Sequence, residues 1–261
     1  VRFLSMFGAR QDDFFMTRVA GFKHQTTTGR NRLTLDGMSP PEQLDAIAIR
    51  ARRMSDRAYR VLRELLLPEL QRHGILVLHW AELDQDEREH LRTTYSRHVE
   101  AVLTPVASDE SHPFPHIRNL RPALATTLRL PESRVDRFAA IELPGELARF
   151  VPLRNGRHFV PLKEVMVAAL PELYPGMTVD TAHAFRVTRS ARMRIKGSKV
   201  SDILQAVQEQ VVQRPFGPVV RLEVEREMPS EMQRMLLREL AYEREEQVTR
   251  LGFEDVYPVD W

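Results

Sequence analysis

The spacing of apolar residues changes part-way along the chain. Before residue 105 they recur every three or four positions, the spacing of amphipathic helices, whereas beyond it several runs alternate between apolar and polar residues, as strands do. The pattern therefore predicts an α+β fold in two domains. Residues 1–105 are expected to form an N-terminal helical bundle, and residues 106–261 an α+β two-layer domain.

The N-terminal region carries start and stop signals for helices. Ser39 precedes two prolines and Glu42, so a capping box with proline in the first turn is expected to begin a long helix. Pro68 is expected to kink this helix before Gly74 ends it. The other predicted elements here are a helix over residues 1–7, an edge strand or connector at residues 75–78, and a helix from Asp84 or Asp86 to Pro105.

The second region is predicted to centre on a strand–helix–strand unit at residues 184–227. In its last strand Val220, Leu222 and Val224 share one face. A helix that covers the sheet formed by its own flanking strands gives a two-layer core. The other predicted elements are strands at residues 123–130, 138–143 and 157–161 and helices at residues 163–170 and 229–251.

Composition excludes several classes of protein and site. The chain has no cysteine, which excludes a disulfide framework, a thiol nucleophile and a cysteine-ligated zinc ion. No apolar run approaches the ~20 residues that a membrane span requires. No glycine-rich phosphate loop or His-Glu-x-x-His pair is present. A cytoplasmic location is compatible with these features.

The positive charge is carried almost entirely by arginine. Lysine accounts for only four of the 38 basic residues, although 36 acidic residues leave a net charge of +2. Arginine grips phosphate and carboxylate in a bidentate manner, so a phosphate-rich partner is one interpretation, and the codon bias of a GC-rich genome is the other. Composition alone does not indicate a nucleic-acid-binding protein.

Two groups of charged residues in the first 25 positions could carry chemistry. Asp12 and Asp13 could act as acid or base, but capping of a helix that begins there is the simpler interpretation. Arg10, Arg18 and Lys23 could line a phosphate groove or form the solvated face of a helix.

Four arginines fall on the first strand of the predicted strand–helix–strand unit. They are Arg186, Arg189, Arg192 and Arg194, with Arg186, Arg192 and Arg194 expected on the solvent face. Repeated arginine on one strand repels itself unless negative charge neutralises it. An anionic ligand, an acidic partner protein and plain solvent remain open as interpretations.

Several stretches, in order along the chain, resemble one family. They are RFLSMFGARQDDFFMTRVAGFKHQ, SPPEQLDAI, LTPVASDESHPFPHIRNL, FRVTRSARM and RPFGPVVRLEVEREMP, and they resemble the N-terminal half of the long, histidine-autophosphorylating bacterial polyphosphate kinases. The resemblance implies a helical N domain followed by a head domain that contributes to a homodimer. It also implies ATP, Mg²⁺ and polyphosphate as ligands of the parent enzyme. The histidine that is phosphorylated is expected in further domains, so this chain by itself is predicted to be inactive and to hold no cofactor.

The chain departs from the family pattern at three places. Arg10 stands where the family has the asparagine expected to meet adenine, and Arg192 stands where it has an aspartate. The basic stretch at residues 194–199 stands where the family has an acidic one. The first hypothesis is an N-plus-head portion that supplies dimerisation and one wall of the ATP site, with Arg10 at the nucleotide. The alternative is a standalone, catalytically inactive paralogue that binds a polyanion or a protein.

Overall fold

The computed structural model describes most of the chain in two compact units. The described residues are 1–29, 33–102, 107–108, 114–130, 136–191, 217–242 and 251–260. The first unit consists of residues 1–56, 118–120 and 186–260, and the second of residues 57–117, 121–185 and 261. Each unit is thus assembled from segments that are distant in sequence. The predicted domain boundary at residue 105 stays a prediction.

Helices dominate the N-terminal region, and mixed α/β structure follows it. This arrangement confirms the α+β prediction and the helical N-terminal region. The helices are α1 (Arg2–Phe14), α2 (Ala20–Thr27), α3 (Pro40–Val61), α4 (Leu67–Arg72), α5 (Gln85–Val102), α6 (Leu162–Leu173) and α7 (Ser230–Tyr242). Single π-helical turns at Phe15–Val19 and Leu62–Leu66 join α1 to α2 and α3 to α4, and 3₁₀ turns lie at Trp80–Glu82 and Phe253–Asp255.

The structure describes nine strands. They are β1 (Leu76–Val77), β2 (Ala107–Ser108), β3 (Pro122–Arg129), β4 (Asp136–Glu142), β5 (Phe150–Pro152), β6 (His158–Pro161), β7 (Thr178–Arg189), β8 (Val219–Glu225) and β9 (Val256–Val259). Within the second unit the orders are β1-β6-β5 and β2-β4-β3-β7. In the first unit the end of β7 neighbours β8, which pairs in parallel with β9 in the register Leu222 to Val256.

Local signals start and stop the helices as expected. Ser39 N and Oγ donate to Glu42 Oε2 at 2.7 and 2.6 Å, so the predicted capping box begins α3. Gly74 takes a φ of 74°, the left-handed conformation that ends a helix with least strain at glycine. Asp84 Oδ1 accepts a hydrogen bond from Glu87 N at 2.7 Å and caps α5.

Four sequence expectations differ from the structure. Helix α1 continues through Gly8, so Asp12 lies in its last turn and caps nothing. Helix α6 extends to Leu173 with Pro171 inside it. Strand β7 begins at Thr178 and ends at Arg189. Strand β8 is buried along both faces from Val219 to Val224, because charged residues on one face pair with each other instead of meeting solvent. The helix predicted between the two strands of the 184–227 unit, at residues 198–214, lies outside the described residues.

The second unit is built on an apolar core. Helix α6 turns its buried face toward the inner side chains of β3, β4, β5 and β6. Its large side chains that are at most 1% exposed include Leu91, Leu124, Leu128, Leu162, Met166 and Leu170. At about 25 cal/mol per Å², burial of this area is the main favourable contribution to folding of the unit.

Candidate functional site

A cleft between α1 and α3 holds Arg10, the residue that the family resemblance assigns to the nucleotide. The cleft has a volume of about 520 Å³ and a mainly apolar lining that includes Phe7, Phe14, Ile47 and Met54. Arg10 and Arg50 also line it, so we call it the arginine cleft. Its size lies within the ~300–1,000 Å³ range of small-molecule sites.

The cleft lies between two antiparallel helices. Gln11 Nε2 donates to Ser55 Oγ at 3.2 Å, and one turn further along the chain, at the start of the π-helical turn, Phe15 packs in one cluster with Ala51. On α1, Phe7 and Arg10 share one stripe; on α3, Ile47 and Arg50 do so, because residues three and four apart lie on the same side of a helix. The spacing thus places one arginine in each wall.

Arg10 is open to a ligand. Its side chain is 82% exposed, and its nearest acidic partner is Asp13, 3.8 Å away and itself 62% exposed. An ion pair at this exposure holds a side chain only weakly. Arg50 is also exposed. The two guanidinium groups can therefore donate hydrogen bonds to an anion or stack on a flat ring.

Next to the cleft, Asp12 anchors α1 to strands β7 and β8. Arg186 Nη1 and Nη2 donate to Asp12 Oδ2 and Oδ1 at 3.1 and 2.9 Å, a bidentate pair. Arg186 Nε donates to Glu223 Oε2 at 2.6 Å. The side chain of Arg186 is 20% exposed, so the expectation that it lies on the solvent face is wrong.

Arg221 completes this buried ion cluster of Asp12, Arg186, Arg221 and Glu223. Its side chain is 1% exposed and its Nη2 lies 2.9 Å from Glu223 Oε1. The guanidinium carbon is 4.6 Å from the ring centroid of Phe15 and 5.0 Å from that of Tyr257. The two rings thus compensate a fully buried cation by cation–π attraction. Two acids and two bases leave the cluster neutral.

Burial and ion pairing oppose each other within this cluster. Burial raises the pKa of Asp12 above its ordinary value, although the charges of Arg186 and Arg221 act against the shift. Burial alone would lower the pKa of Arg186, but the charges of Glu223 and Asp12 outweigh it and raise that pKa. The arginine therefore stays charged, and its pairing with the carboxylates is the interaction that offsets their desolvation.

The other predicted arginines are placed differently. Arg189 is buried; its backbone N donates to Asn119 Oδ1 at 2.7 Å and its Nη1 donates to the carbonyl of Gly217 at 3.0 Å. Arg192 and Arg194 lie outside the described residues. A ligand or partner for any of these arginines stays a prediction.

A second cleft, of about 490 Å³, lies on the other flank of α3. Lys23 and Asp255 form a buried ion pair in it, each side chain 9% exposed, and we call it the lysine cleft. Burial raises the pKa of Asp255 even though Lys23 opposes the shift. Lys23 therefore does not share a groove with Arg10, and the predicted phosphate groove of Arg10, Arg18 and Lys23 is not formed.

Two further kinds of feature are absent from the described part of the chain. Within it, no group of three or more histidine and acidic side chains is arranged to hold a metal ion. None of its helices combines the length and apolar character needed to cross a membrane.

Comparison with known proteins connects this geometry to a family. The model of the polyphosphate kinase N-terminal domain matches residues 1–78, and that of the polyphosphate kinase middle domain matches residues 86–256. The chain belongs to the polyphosphate kinase family.

Relatives and a solved structure agree with that assignment. The polyphosphate kinase of Mycobacterium marinum is 41% identical over 249 residues, and that of Mycobacterium tuberculosis is 38% identical over 253 residues. Each match covers 92% of this chain but 34% of the relative. The crystal structure of the Porphyromonas gingivalis polyphosphate kinase has the same fold, with a TM-score of 0.73 at 22% identity over 99% of this chain and 34% of that one.

Sequence reasoning missed three residues of this polyphosphate kinase region. Arg221 and Glu223 alternate with apolar residues in β8, and this pattern ordinarily indicates a strand face in contact with solvent. In the structure both side chains are buried and pair with each other, so the pattern does not reveal their environment. Arg50 stands among many exposed arginines of α3, and only the position of α1 opposite it distinguishes it.

Proposed function

We propose that this chain forms the N-terminal and middle parts of an enzyme that reversibly transfers the γ-phosphoryl group of ATP to polyphosphate. The two family models, matched in order along the chain, carry this proposal. Its relatives are named polyphosphate kinases, and the chain spans 34% of their length. We assign the phosphohistidine step to residues outside these 261, which makes this chain a supporting part of the enzyme.

Within that enzyme, Arg10 supplies one wall of the nucleotide site. Its side chain lines the arginine cleft and is 82% exposed, which supports this role. Guanidinium has only donors, so it stacks on the base or binds a phosphate oxygen, whereas an asparagine amide at this position both donates and accepts. The buried ion cluster keeps α1, and so Arg10, in place.

The remaining features of the proposal come from the family resemblance. We propose a homodimer to which the middle region contributes the interface, Mg²⁺ that arrives with ATP, and a cytoplasmic location. None of these roles needs a segment inserted in a membrane. Polyphosphate is a polyanion that exposed arginine side chains can bind.

Titration of the 261-residue chain with a fluorescent ATP analogue tests the role of Arg10. Arg10→Ala is expected to weaken binding about tenfold, the equivalent of 1.4 kcal/mol and typical of one lost charged hydrogen bond. Arg18→Ala is the matched control, since Arg18 is exposed on the same helical run and does not line the cleft.

Equal affinities for the wild-type chain and the Arg10→Ala variant would remove Arg10 from the nucleotide site. Acid-labile labelling of the 261-residue chain by γ-labelled ATP would contradict the assignment of the phosphohistidine to other residues. Tight binding of polyphosphate without any binding of ATP would instead favour the inactive, polyanion-binding paralogue.

A further inference from the structure

The charges in and beside the arginine cleft balance each other. Arg10 and Arg50 line the cleft together with one carboxylate, Asp36. Asp13 lies next to it, 3.8 Å from Arg10, so two cations stand against two carboxylates. A site without excess charge complements a neutral group that offers hydrogen-bond donors and acceptors better than it complements an ion.

The apolar walls of the cleft suit a flat ring. Phe7 and Phe14 of α1 belong to the lining, and Ile47 and Met54 belong to it from α3. Nucleobases stack on aromatic side chains through their faces, and this contact is much the same for every base. The apolar walls can therefore hold a base without identifying it, so the choice among bases falls to the polar side chains.

The amide side chains of the lining do not offer a free donor beside a free acceptor. Gln11 Nε2 donates to Ser55 Oγ at 3.2 Å, and Gln11 Oε1 accepts from Arg221 Nη2 at 3.2 Å. Gln43 Nε2 donates to Thr34 Oγ1. Adenine presents a donor, N6, beside an acceptor, N7, and a free amide matches both. Because Gln11 is engaged at both ends and Gln43 at its donor end, neither provides that match.

The charged side chains of the lining each offer a ligand one kind of hydrogen-bonding group. The guanidinium groups of Arg10 and Arg50 only donate, and the carboxylate of Asp36 only accepts. Asp36 Oδ1 accepts hydrogen bonds from Thr34 Oγ1 and from Met38 N, which leaves Oδ2 for a ligand. Donors and acceptors are thus carried by separate side chains of the cleft.

Guanine separates its own groups in the same way. Its O6 and N7 are neighbouring acceptors to which one guanidinium donates, and its N1–H and N2–H donors lie together on another edge. We propose that the arginine cleft binds guanine in preference to adenine. Arg10 donates to O6 and N7, and Asp36 Oδ2 accepts from the N1–H and N2–H edge. This inference rests on the proposed function, because it names the base of the nucleotide that the site takes.

Titration of the 261-residue chain with ribose-labelled fluorescent analogues of GTP and ATP tests the proposal. The GTP analogue is expected to bind at least about tenfold more tightly, as one bidentate contact to a base provides. Arg10→Asn is expected to reverse the preference, because an amide pairs with N6 and N7 of adenine. Arg18→Asn removes the same charge at an exposed position outside the cleft and is expected to keep the preference for guanine.

A second variant examines the acceptor side of the site. Asp36→Ala is expected to lower the affinity for the GTP analogue about tenfold more than the affinity for the ATP analogue. The ratio of the two affinities is the quantity to compare, because any general effect of the lost charge on the phosphates is common to both analogues. Asp36 is exposed and lies outside the helices, so α1 and α3 are expected to stay folded.

The outcomes separate this proposal from the proposed function. Equal affinities for the two analogues, tighter binding of the ATP analogue, or a preference that Arg10→Asn leaves unchanged would overturn the choice of guanine. Binding of the ATP analogue in those cases would still support a nucleotide site. If neither analogue bound, the nucleotide site itself would be wrong, and the choice of guanine with it.

Discussion

Among the described residues, the two compact units differ in whether their interiors bury charged side chains. In the second unit, α6 and the strands bury leucine and methionine side chains almost completely, and shape and area hold the elements together. The first unit also buries large apolar side chains such as Leu222, Leu236 and Val259. In addition, a neutral cluster of four charges joins α1 to β7 and β8, next to a small apolar group around Phe15 and Tyr257.

This difference bears on function. An apolar core is stabilising but tolerates small shifts of its elements, whereas bidentate ion pairs fix distance and orientation. The first unit therefore fixes α1 by directed ion pairs, whereas the second unit holds its elements by apolar packing. Single substitutions in each interior should separate these two modes.

The largest effect is expected from Asp12→Ala. Removing this carboxylate leaves Arg186 and Arg221 with excess buried positive charge, and breaking a buried ion pair costs about 3–5 kcal/mol. Asp13→Ala, at the adjacent exposed position, should change the free energy of unfolding by less than ~0.5 kcal/mol. Urea unfolding measures both; similar small changes would mean that the cluster contributes little.

A comparable but purely apolar loss is expected in the second unit. Met166→Ala removes a side chain with no exposed surface and leaves a cavity, so the free energy of unfolding should fall by about 2–5 kcal/mol. Leu65→Ala, at a leucine that is 63% exposed, is the control and should cost far less. If affinity for the ATP analogue also fell with Met166→Ala at temperatures where the variant stays folded, the second unit would contribute to nucleotide binding.

A smaller, stabilising effect is expected at Gly8 in the first unit. A Cβ at this position of α1 meets no atom within 4 Å, so Gly8→Ala should raise the free energy of unfolding by about 0.5–1 kcal/mol. Gly217→Ala is the contrasting variant, because its Cβ would lie 2.3 Å from the carbonyl oxygen of Ser190. If both changes stabilised the chain, the backbone at Ser190 and Gly217 would be able to move apart at little energetic cost.

The least effect at neutral pH is expected from the two buried tyrosines, one in each unit. Burial raises the pKa of Tyr257 and of Tyr174 to about 12. An unfolded tyrosine ionises near 10, so the folded state keeps these protons longer and stability should fall as the pH rises from about 10 to about 12. Tyr257→Phe and Tyr174→Phe should each make the free energy of unfolding fall less steeply over this pH range, and phenolate absorbance follows the ionisation itself. If a substitution left the pH dependence unchanged, the hydroxyl it removes would lie in solvent.

Elements that depend on neighbouring residues could be predicted from sequence. Ser39 and Glu42 begin α3 because their contact is local, and Gly74 ends α4 because few other residues adopt its backbone conformation. The order of the sequence motifs along the chain was likewise enough to identify the family. Asp12 was misassigned as a cap, since its partners Arg186 and Arg221 are 174 and 209 positions away.

The sequence by itself thus determined the α+β class, the capped helices and membership of the polyphosphate kinase family. Only the tertiary structure decided which charges are buried together. The alternation of apolar and charged residues in β8 is equally compatible with a solvent-exposed face and with a buried face whose charges neutralise each other. It also decided that Arg10 and Arg50 line the same cleft. No local pattern encodes that pairing, because it arises from the antiparallel packing of two helices whose facing residues are about 40 positions apart.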